Sequence, residues 1–427
     1  MSPRKRAQPA IFILLALLCV SSLRVVTPAQ QQDDKRAVAN ARRVEQAVQL
    51  IRANRVQQAE ALLNAVLAAA PQDADALNLL GVVRAQQRRF DEAEQLFQRA
   101  VAAAPSFVGS YVNLGELYYS TERPQQALAA LLKARALAPE RPDINFKVAM
   151  LYAAQQQYDA AEEILAALLQ SRPDDVGTLR ALARVARAQG NLEKSLAYLV
   201  QAKRLAPDAP AVLYEFGVTA LQQGLLLDAL PVFERLHQSH PDEPAYLYML
   251  GATHLQKGAP SLAEPLLKRY VELRPQDASG LYLLGATIYR LNRPADARRV
   301  LTQSLSLQPK TEVEYLIGAT YAAEDNLPAA AVALERVVRA HPEHVAAHTI
   351  LGDVYRKQER YPEARTVLER AVALDAQDLR AHYQLGLVYA KLGDKAAAAR
   401  MLALADQLRA VQSRQERIEF KLIDPPK

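Results

Sequence analysis

Three histidines and three arginines are the residues of this 427-residue chain whose spacing could do chemistry. His344 and His348 stand four apart with His341 just before them, a spacing that can set two imidazoles on one helix face. A zinc site needs a third and a fourth ligand, and none is in view, so turn and packing roles without metal are expected for these residues and for His382. Arg180, Arg184 and Arg187, at spacings of four and three, put three guanidinium groups on one helical face. Such a face could grip a carboxylate or a phosphate, and a solvated or acid-paired face is the alternative. No G-x-G-x-x-G, Walker loop, H-E-x-x-H, G-x-S-x-G or EF-hand spacing occurs. The single cysteine, Cys19, lies in an apolar N-terminal run, and without that run disulfides, zinc thiolates and a thiol nucleophile are excluded. The expectation is no enzyme, no catalytic residue and no cofactor.

The elements that hold these side chains are set out by two ladders. Pro71, Pro105, Pro139, Pro173, Pro207, Pro241, Pro275 and Pro309 recur every 34 residues, and Pro342 follows at 33. Gly81, Gly115, Gly217, Gly251, Gly285, Gly318, Gly352 and Gly386 run in register with them. A period of this size marks an array of small supersecondary units. Repeats starting at Asn40, Ala74, Val108, Pro142, Val176, Pro210, Pro244, Ala278, Thr311, Val345 and Leu379 fill residues 40–412. Each reads as two antiparallel helices. Gly190, Gly224, Gly258 and Gly393 stand at the turn between them, where a residue without a Cβ adopts the left-handed conformation that ends a helix. Proline closes the second helix and separates the repeats. One elongated all-α domain is the better expectation than two or three globular ones. The pieces outside the array are too short to fold a catalytic domain alone.

Leu80-Gly81, Ala93, Phe97, Ala100 and Pro105 resemble the tetratricopeptide repeat pattern, and Leu114-Gly115, Tyr118, Ala127, Leu131, Ala134 and Pro139 carry it again. Leu351-Gly352, Tyr355, Ala364, Leu368 and Ala371 match, as do Leu385-Gly386, Tyr389, Ala398, Leu402 and Ala405. The resemblance implies a right-handed superhelical solenoid of about eleven helix-turn-helix units with a C-terminal capping helix. It implies a scaffold for a protein or an extended peptide, held in a concave groove lined by the first helix of each repeat. Positions 2, 5, 9, 12 and 13 of that helix would point into the groove. Position 5 reads Tyr214, Tyr248, Tyr282, Tyr315 and, after Thr349, Tyr383, which would be a stripe of interface anchors or would pack on neighbouring repeats. Arg180, Arg184 and Arg187 fill positions 5, 9 and 12 of the fifth repeat. Relatives that clamp a chaperone's C-terminal carboxylate use lysine at position 5 and asparagine at position 9, and no repeat here has that pair.

The glycines, with Ala93, Ala127, Ala161, Ala229, Ala263 and Ala297, are expected at the close approach of the two helices of a repeat. Ala149 and Ala183 replace the glycine in repeats four and five. Pro231 and Pro265 fall within second helices and should kink or delay them. Ala376 and Ala410 replace the closing proline in the last two repeats, so the final helix can run on past Ala410 as a cap, with residues 413–427 as its end and tail.

The formal charge of +6 is concentrated at the N-terminus. Arg4, Lys5, Arg6 and Arg24 are four of the 52 basic residues, and residues 1–29 hold no acid, so the remainder carries 48 basic against 46 acidic residues. That balance argues against a nucleic-acid partner. Basic residues 2–9, apolar residues 10–20 and small polar residues 21–29 have the layout of a secretory signal, followed by a polar linker over 30–39. The expected location, for a bacterial cell, is periplasmic or secreted, with membrane contact only if the signal stays uncleaved. A structural part of an envelope export or polysaccharide-secretion machine is the second reading.

Overall fold

The computed structural model describes residues 28–412, all of its regular structure being helix. The described residues form two compact bodies, one up to residue 155 and the other from residue 156, and the division falls inside the fourth repeat. The expected secretory signal lies, but for its last two residues, outside the described residues, as does the tail beyond Gln412.

The first body contains α1 (Pro28–Arg52), α2 (Val56–Ala69), α3 (Ala74–Gln86), α4 (Phe90–Ala103), α5 (Val108–Ser120), α6 (Pro124–Leu137) and α7 (Pro142–Ala154). The second contains α8 (Tyr158–Ser171), α9 (Val176–Ala188), α10 (Leu192–Leu205), α11 (Pro210–Gln222), α12 (Leu226–Ser239), α13 (Pro244–Gln256) and α14 (Pro260–Leu273). It continues with α15 (Ala278–Arg290), α16 (Pro294–Leu307), α17 (Thr311–Ala323), α18 (Leu327–Ala340), α19 (Val345–Lys357), α20 (Tyr361–Leu374), α21 (Leu379–Lys391) and α22 (Lys395–Gln412). From α3 on, every odd-numbered helix opens on the first residue of its repeat. Residues 30–39, expected as a linker, belong to α1. Pro28 has the fixed φ that suits a helix start, and the Gln, Lys, Arg and Ala residues that follow favour helix.

The turn inside each repeat is a left-handed helix end in all eleven, not only in the four with glycine. Asn54, Arg88, Glu122, Gln156, Asn292, Asp325 and Glu359 adopt the same positive φ as Gly190, Gly224, Gly258 and Gly393. The next amide bonds back to a carbonyl five residues earlier, as from Arg89 to Arg84 at 2.9 Å, Asn191 to Ala186 at 2.8 Å and Arg360 to Tyr355 at 2.9 Å. These bonds satisfy carbonyls that the helix end would leave without donors. The turn between repeats is capped from the other side. Asp73, Asp175, Asp277 and Asp378 each accept an amide hydrogen bond at the start of the following helix. The one missing residue of the ladder shortens this turn to Gln308–Lys310, against His240–Glu243 in an ordinary repeat.

Packing explains the small residues. A Cβ added to Gly81 would sit 2.5 Å from the Phe97 ring, and one added to Gly352 would sit 2.3 Å from Leu368 Cγ. The glycine therefore receives the large side chain sixteen residues on, in the second helix, while Ala93, Ala127, Ala263 and Ala297 are fully enclosed beside it. In the fifth repeat Ala183 and Leu199 share one core cluster, so a methyl group is accommodated there. Pro231 and Pro265 do not delay their helices, since α12 and α14 begin in register and keep fourteen residues. The carbonyl that Pro231 leaves without a donor belongs to Leu227, on the solvent side, where water can serve. Beyond Ala410 the last helix continues, as expected, to Gln412.

Candidate functional site

The first helices line a shared face. In the second body, α9, α11, α13, α15, α17, α19 and α21 each touch the next of the series, whereas no pair of second helices among the described residues makes a comparable contact. Elements that approach on one side and spread on the other curve the stack, so the first helices are on its inner side. In the first body α1, α3 and α5 touch in the same way.

The tyrosines of position 5 are on these helices, but they do not form an open stripe. Tyr248 is 1% exposed and Tyr282 is 6% exposed. The Tyr248 ring lies 5.2 Å from that of Tyr270, a side chain of the second helix of the same repeat. Tyr214 is half-buried against Phe233 and Tyr246, with ring centroids at 6.3 and 6.0 Å, and Tyr315 is half-buried 4.7 Å from His344. Only Tyr383, at 39%, is substantially exposed. Burial pushes the phenols of Tyr282 and Tyr315 up to about 12. Of the two roles open to these tyrosines, packing describes Tyr248 and Tyr282, whose rings are buried in the core formed by their own and neighbouring repeats.

Of the three arginines, Arg180 is engaged by the next repeat. Its Nε and Nη2 donate to the two Glu215 carboxylate oxygens at 3.0 and 2.9 Å, and this pairing, against the cost of burial, raises its pKa. Arg184 is exposed and Arg187 half-buried on the same helix. Arg187 acts electrostatically on the Tyr214 phenol. An acid-paired face describes Arg180.

The histidines hold turns. His344 caps α19, its Nδ1 accepting the Ala347 amide at 3.2 Å. His348 Nε2 lies 3.0 Å from the Pro342 carbonyl and His382 Nε2 lies 3.0 Å from the Ala376 carbonyl. Asn145, at the same repeat position, donates to the Pro139 carbonyl at 2.8 Å. A polar side chain at position 4 therefore ties the first helix to the preceding turn, a hydrogen bond where sequence reasoning expected packing. Among the described residues, no group of three or more His, Cys, Asp or Glu comes together as a metal site.

A second set of contacts joins repeats through tyrosines that the sequence offered only as part of the repeat signature. Tyr355 donates to Glu335 at 2.6 Å, Tyr389 to Glu369 at 2.8 Å and Tyr118 to Glu94 at 3.0 Å, each acid lying in the preceding repeat. The Arg360 and Arg123 guanidinium groups lie over the Tyr355 and Tyr118 rings at 4.1 and 4.5 Å. Tyr270 donates to Asp277, the cap of the next first helix. Its ring fills the space where Gly280 has no side chain, and a Cβ there would be 2.2 Å from the ring. The cue was available: across the repeats this is where the largest residue of one position meets the smallest of another.

Two further residues of the inner face, Tyr289 and Arg380, escaped sequence reasoning. Arg380, exposed at the start of α21, acts electrostatically on the phenols of Tyr289 in α15 and Tyr315 in α17. It forms no ion pair within the described residues, and two repeats lie between it and Tyr289 in sequence.

Models described as tetratricopeptide repeat match residues 44–106, 84–151, 118–185, 180–244, 214–278, 248–312 and 379–411, and one described as TPR repeat matches 352–393. No curated protein sequence matches the chain. Similar solved structures include PilF of Pseudomonas aeruginosa, 18% identical with a TM-score of 0.44, covering 50% of this chain and 96% of that one. PilW, described as a widely conserved type IV pilus biogenesis factor, is 21% identical with a TM-score of 0.43 over 48% of this chain and 94% of that one. In the Cut9–Hcn1 hetero-tetramer of the APC/C, the match is 15% identical with a TM-score of 0.49 over 84% and 85%. With family models spread over most of its length and helix pairs in the same register, the chain belongs to the tetratricopeptide repeat family.

Proposed function

We propose that the protein is an exported, non-catalytic scaffold that holds a protein partner on the inner face of its first helices. The observation that carries this reading is the run of first helices in contact from α9 to α21, which offers a long surface on one side of a stack. The three-layer N-terminal sequence supports the export part of the reading. The sequence motifs and side-chain arrangements described above assemble no activated nucleophile or acid–base pair on the face, and Arg180 and the buried tyrosines are spent on holding repeats together.

Affinity capture from the native host's envelope fraction tests it, with the wild-type chain beside Tyr383→Ala, a change at the exposed phenol of the face. A partner retained by the wild type and lost or depleted in the variant is the expected result. Partners retained equally by both, together with loss on altering an outer second-helix residue such as Arg299, would place binding elsewhere and overturn the reading.

A further inference from the structure

On the inner face of the first body, two side-chain amides are held in a fixed orientation, each with one end unused. Asn78 of α3 is 7% exposed, and its Oδ1 accepts two hydrogen bonds from α5, from Asn113 Nδ2 at 2.8 Å and from Ser110 Oγ at 3.2 Å. Those bonds fill the carbonyl end of Asn78 and leave its Nδ2 as the free end. The same bond commits the nitrogen of Asn113 and leaves that residue's Oδ1 over. Neither Asn78 Nδ2 nor Asn113 Oδ1 has a partner among the described residues, and neither is sealed from solvent. A Cβ added at Gly109, in the first turn of α5, would come within 3.8 Å of Asn78 Nδ2, so the bare glycine leaves that donor uncovered on one side. A spare donor and a spare acceptor thus flank a single hydrogen bond where two first helices touch. Asn78 stands at position 5 of its repeat, and Val82, Val112 and Tyr119 fill positions 9, 5 and 12 of the same two helices. Val82 and Val112 are half-buried, and the Tyr119 ring is 61% exposed. Glu116, at position 9 of α5, is paired with Lys147 of the next first helix.

We propose that this pair clasps the main chain of an extended, uncharged peptide segment of the partner, Asn78 Nδ2 donating to a main-chain carbonyl and Asn113 Oδ1 accepting a main-chain N–H. The inference rests on the reading of the inner face as a docking surface and names what its first-body stretch takes. An extended chain presents free N–H and C=O groups, whereas a helix has spent its own on internal bonds. The two spare groups are neutral dipoles, which match another amide, and the carboxylate of Glu116 beside them is already compensated. A donor on a side chain as enclosed as Asn78 gains from a partner that stays in place when the face is covered and water leaves. Alternate side chains of an extended chain point to opposite sides, so apolar residues two apart would face Val82, Val112 and Tyr119.

The test titrates the full chain with a fluorescent, end-capped peptide of alternating Leu and Ser. Beside it run the same peptide with its main-chain nitrogens methylated and a thymidine oligonucleotide, whose base edges also offer a donor and acceptors. The unmodified peptide is expected to bind, with little dependence on salt, and to lose about tenfold in affinity on methylation. Asn78→Asp keeps the oxygen that Ser110 and Asn113 bond to and replaces only the spare donor, so it should weaken binding by a similar factor with the circular dichroism of the chain unchanged. Tyr119→Ala, at an exposed ring, should weaken binding by a smaller factor, and Arg299→Gln on an outer helix should leave it unchanged. If Asn78→Asp alters the fold, methylation and Tyr119→Ala still decide. Equal affinity of the methylated and unmethylated peptides, a folded Asn78→Asp as tight as the wild type, tighter binding of the oligonucleotide, or no binding of any probe would each overturn the clasp. The scaffold reading would then stand or fall on its own capture experiment.

Discussion

Tyr270 and Gly280 form a pair whose coupling can be measured. Tyr270 is almost fully enclosed, its hydroxyl bonded to Asp277, so its ring has no room to turn aside. A methyl group on Gly280 would meet Cε1 at 2.2 Å and Cδ1 at 2.6 Å, an overlap worth about 1–3 kcal/mol of destabilisation. Alanine also favours helix over glycine, by up to ~1 kcal/mol, so Gly280→Ala should cost a net of roughly 1–2 kcal/mol. Tyr270→Ala removes the ring and its hydrogen bond and should cost about 3–5 kcal/mol. With the ring gone the overlap disappears and only the helix preference remains. In the Tyr270→Ala background, Gly280→Ala should therefore change sign and stabilise by about 0.5–1 kcal/mol, a coupling of roughly 1–3 kcal/mol across the cycle. Hydrogen exchange of amides in α14 and α15 reads the local opening free energy without requiring the array to unfold in one step. Destabilisation by Gly280→Ala of the same size in both backgrounds would refute the packing argument.

Other perturbations follow from the turns and cores. Glu359→Gly should stabilise by about 1 kcal/mol, because it relieves a left-handed non-glycine residue, and Gly258→Ala should cost a similar amount although a Cβ there meets nothing within 4 Å; urea unfolding checks both. Gly352→Ala should destabilise by about 1 kcal/mol or more through overlap with Leu368, the helix preference being too small to offset it, and thermal unfolding compared with wild type reads the loss. Burial and the nearby Arg370 hold the His348 imidazole below its ordinary pKa, so the unfolded chain takes up the proton first. Stability is then intact above about pH 6.5 and falls as the pH drops below it. His348→Asn, which copies the carbonyl bond made by Asn145, should flatten that acid loss in a pH series of unfolding curves. Tyr355, raised to about 12 by burial and by its bond to Glu335, works in the opposite direction, giving stability that is complete below about pH 10 and lost as the pH rises toward 12. Tyr355→Phe should remove that alkaline loss in the same series.

Most of the fold was legible because the period is a local property. Each glycine and proline of the ladders acts on its own turn or seam, so the start of nearly every first helix followed from the register. What the sequence hid were consequences of a neighbour. Arg88, Glu122, Gln156 and Glu359 carry no sign of a positive φ, which is imposed by the way the helix closes, whereas Asn54, Asn292 and Asp325 are of types that adopt it more readily. Tyr248 and Tyr383 share a repeat position, yet one is sealed and the other open, because Tyr248 meets the Tyr270 ring in its own repeat whereas the corresponding place in the last repeat holds the small Ala405. The electrostatic influence of Arg380, in the eleventh repeat, on Tyr289, in the eighth, depends on how the repeats stack.

The central claim is that the inner face, and not the outer helices, meets a partner. Photocrosslinking in the native host, with a photoreactive side chain at position 383 in one strain and at position 299 in another, tests it most directly. The account predicts a discrete protein adduct from position 383 and none from position 299. Adducts from position 299 alone, or the same adducts from both, would contradict it.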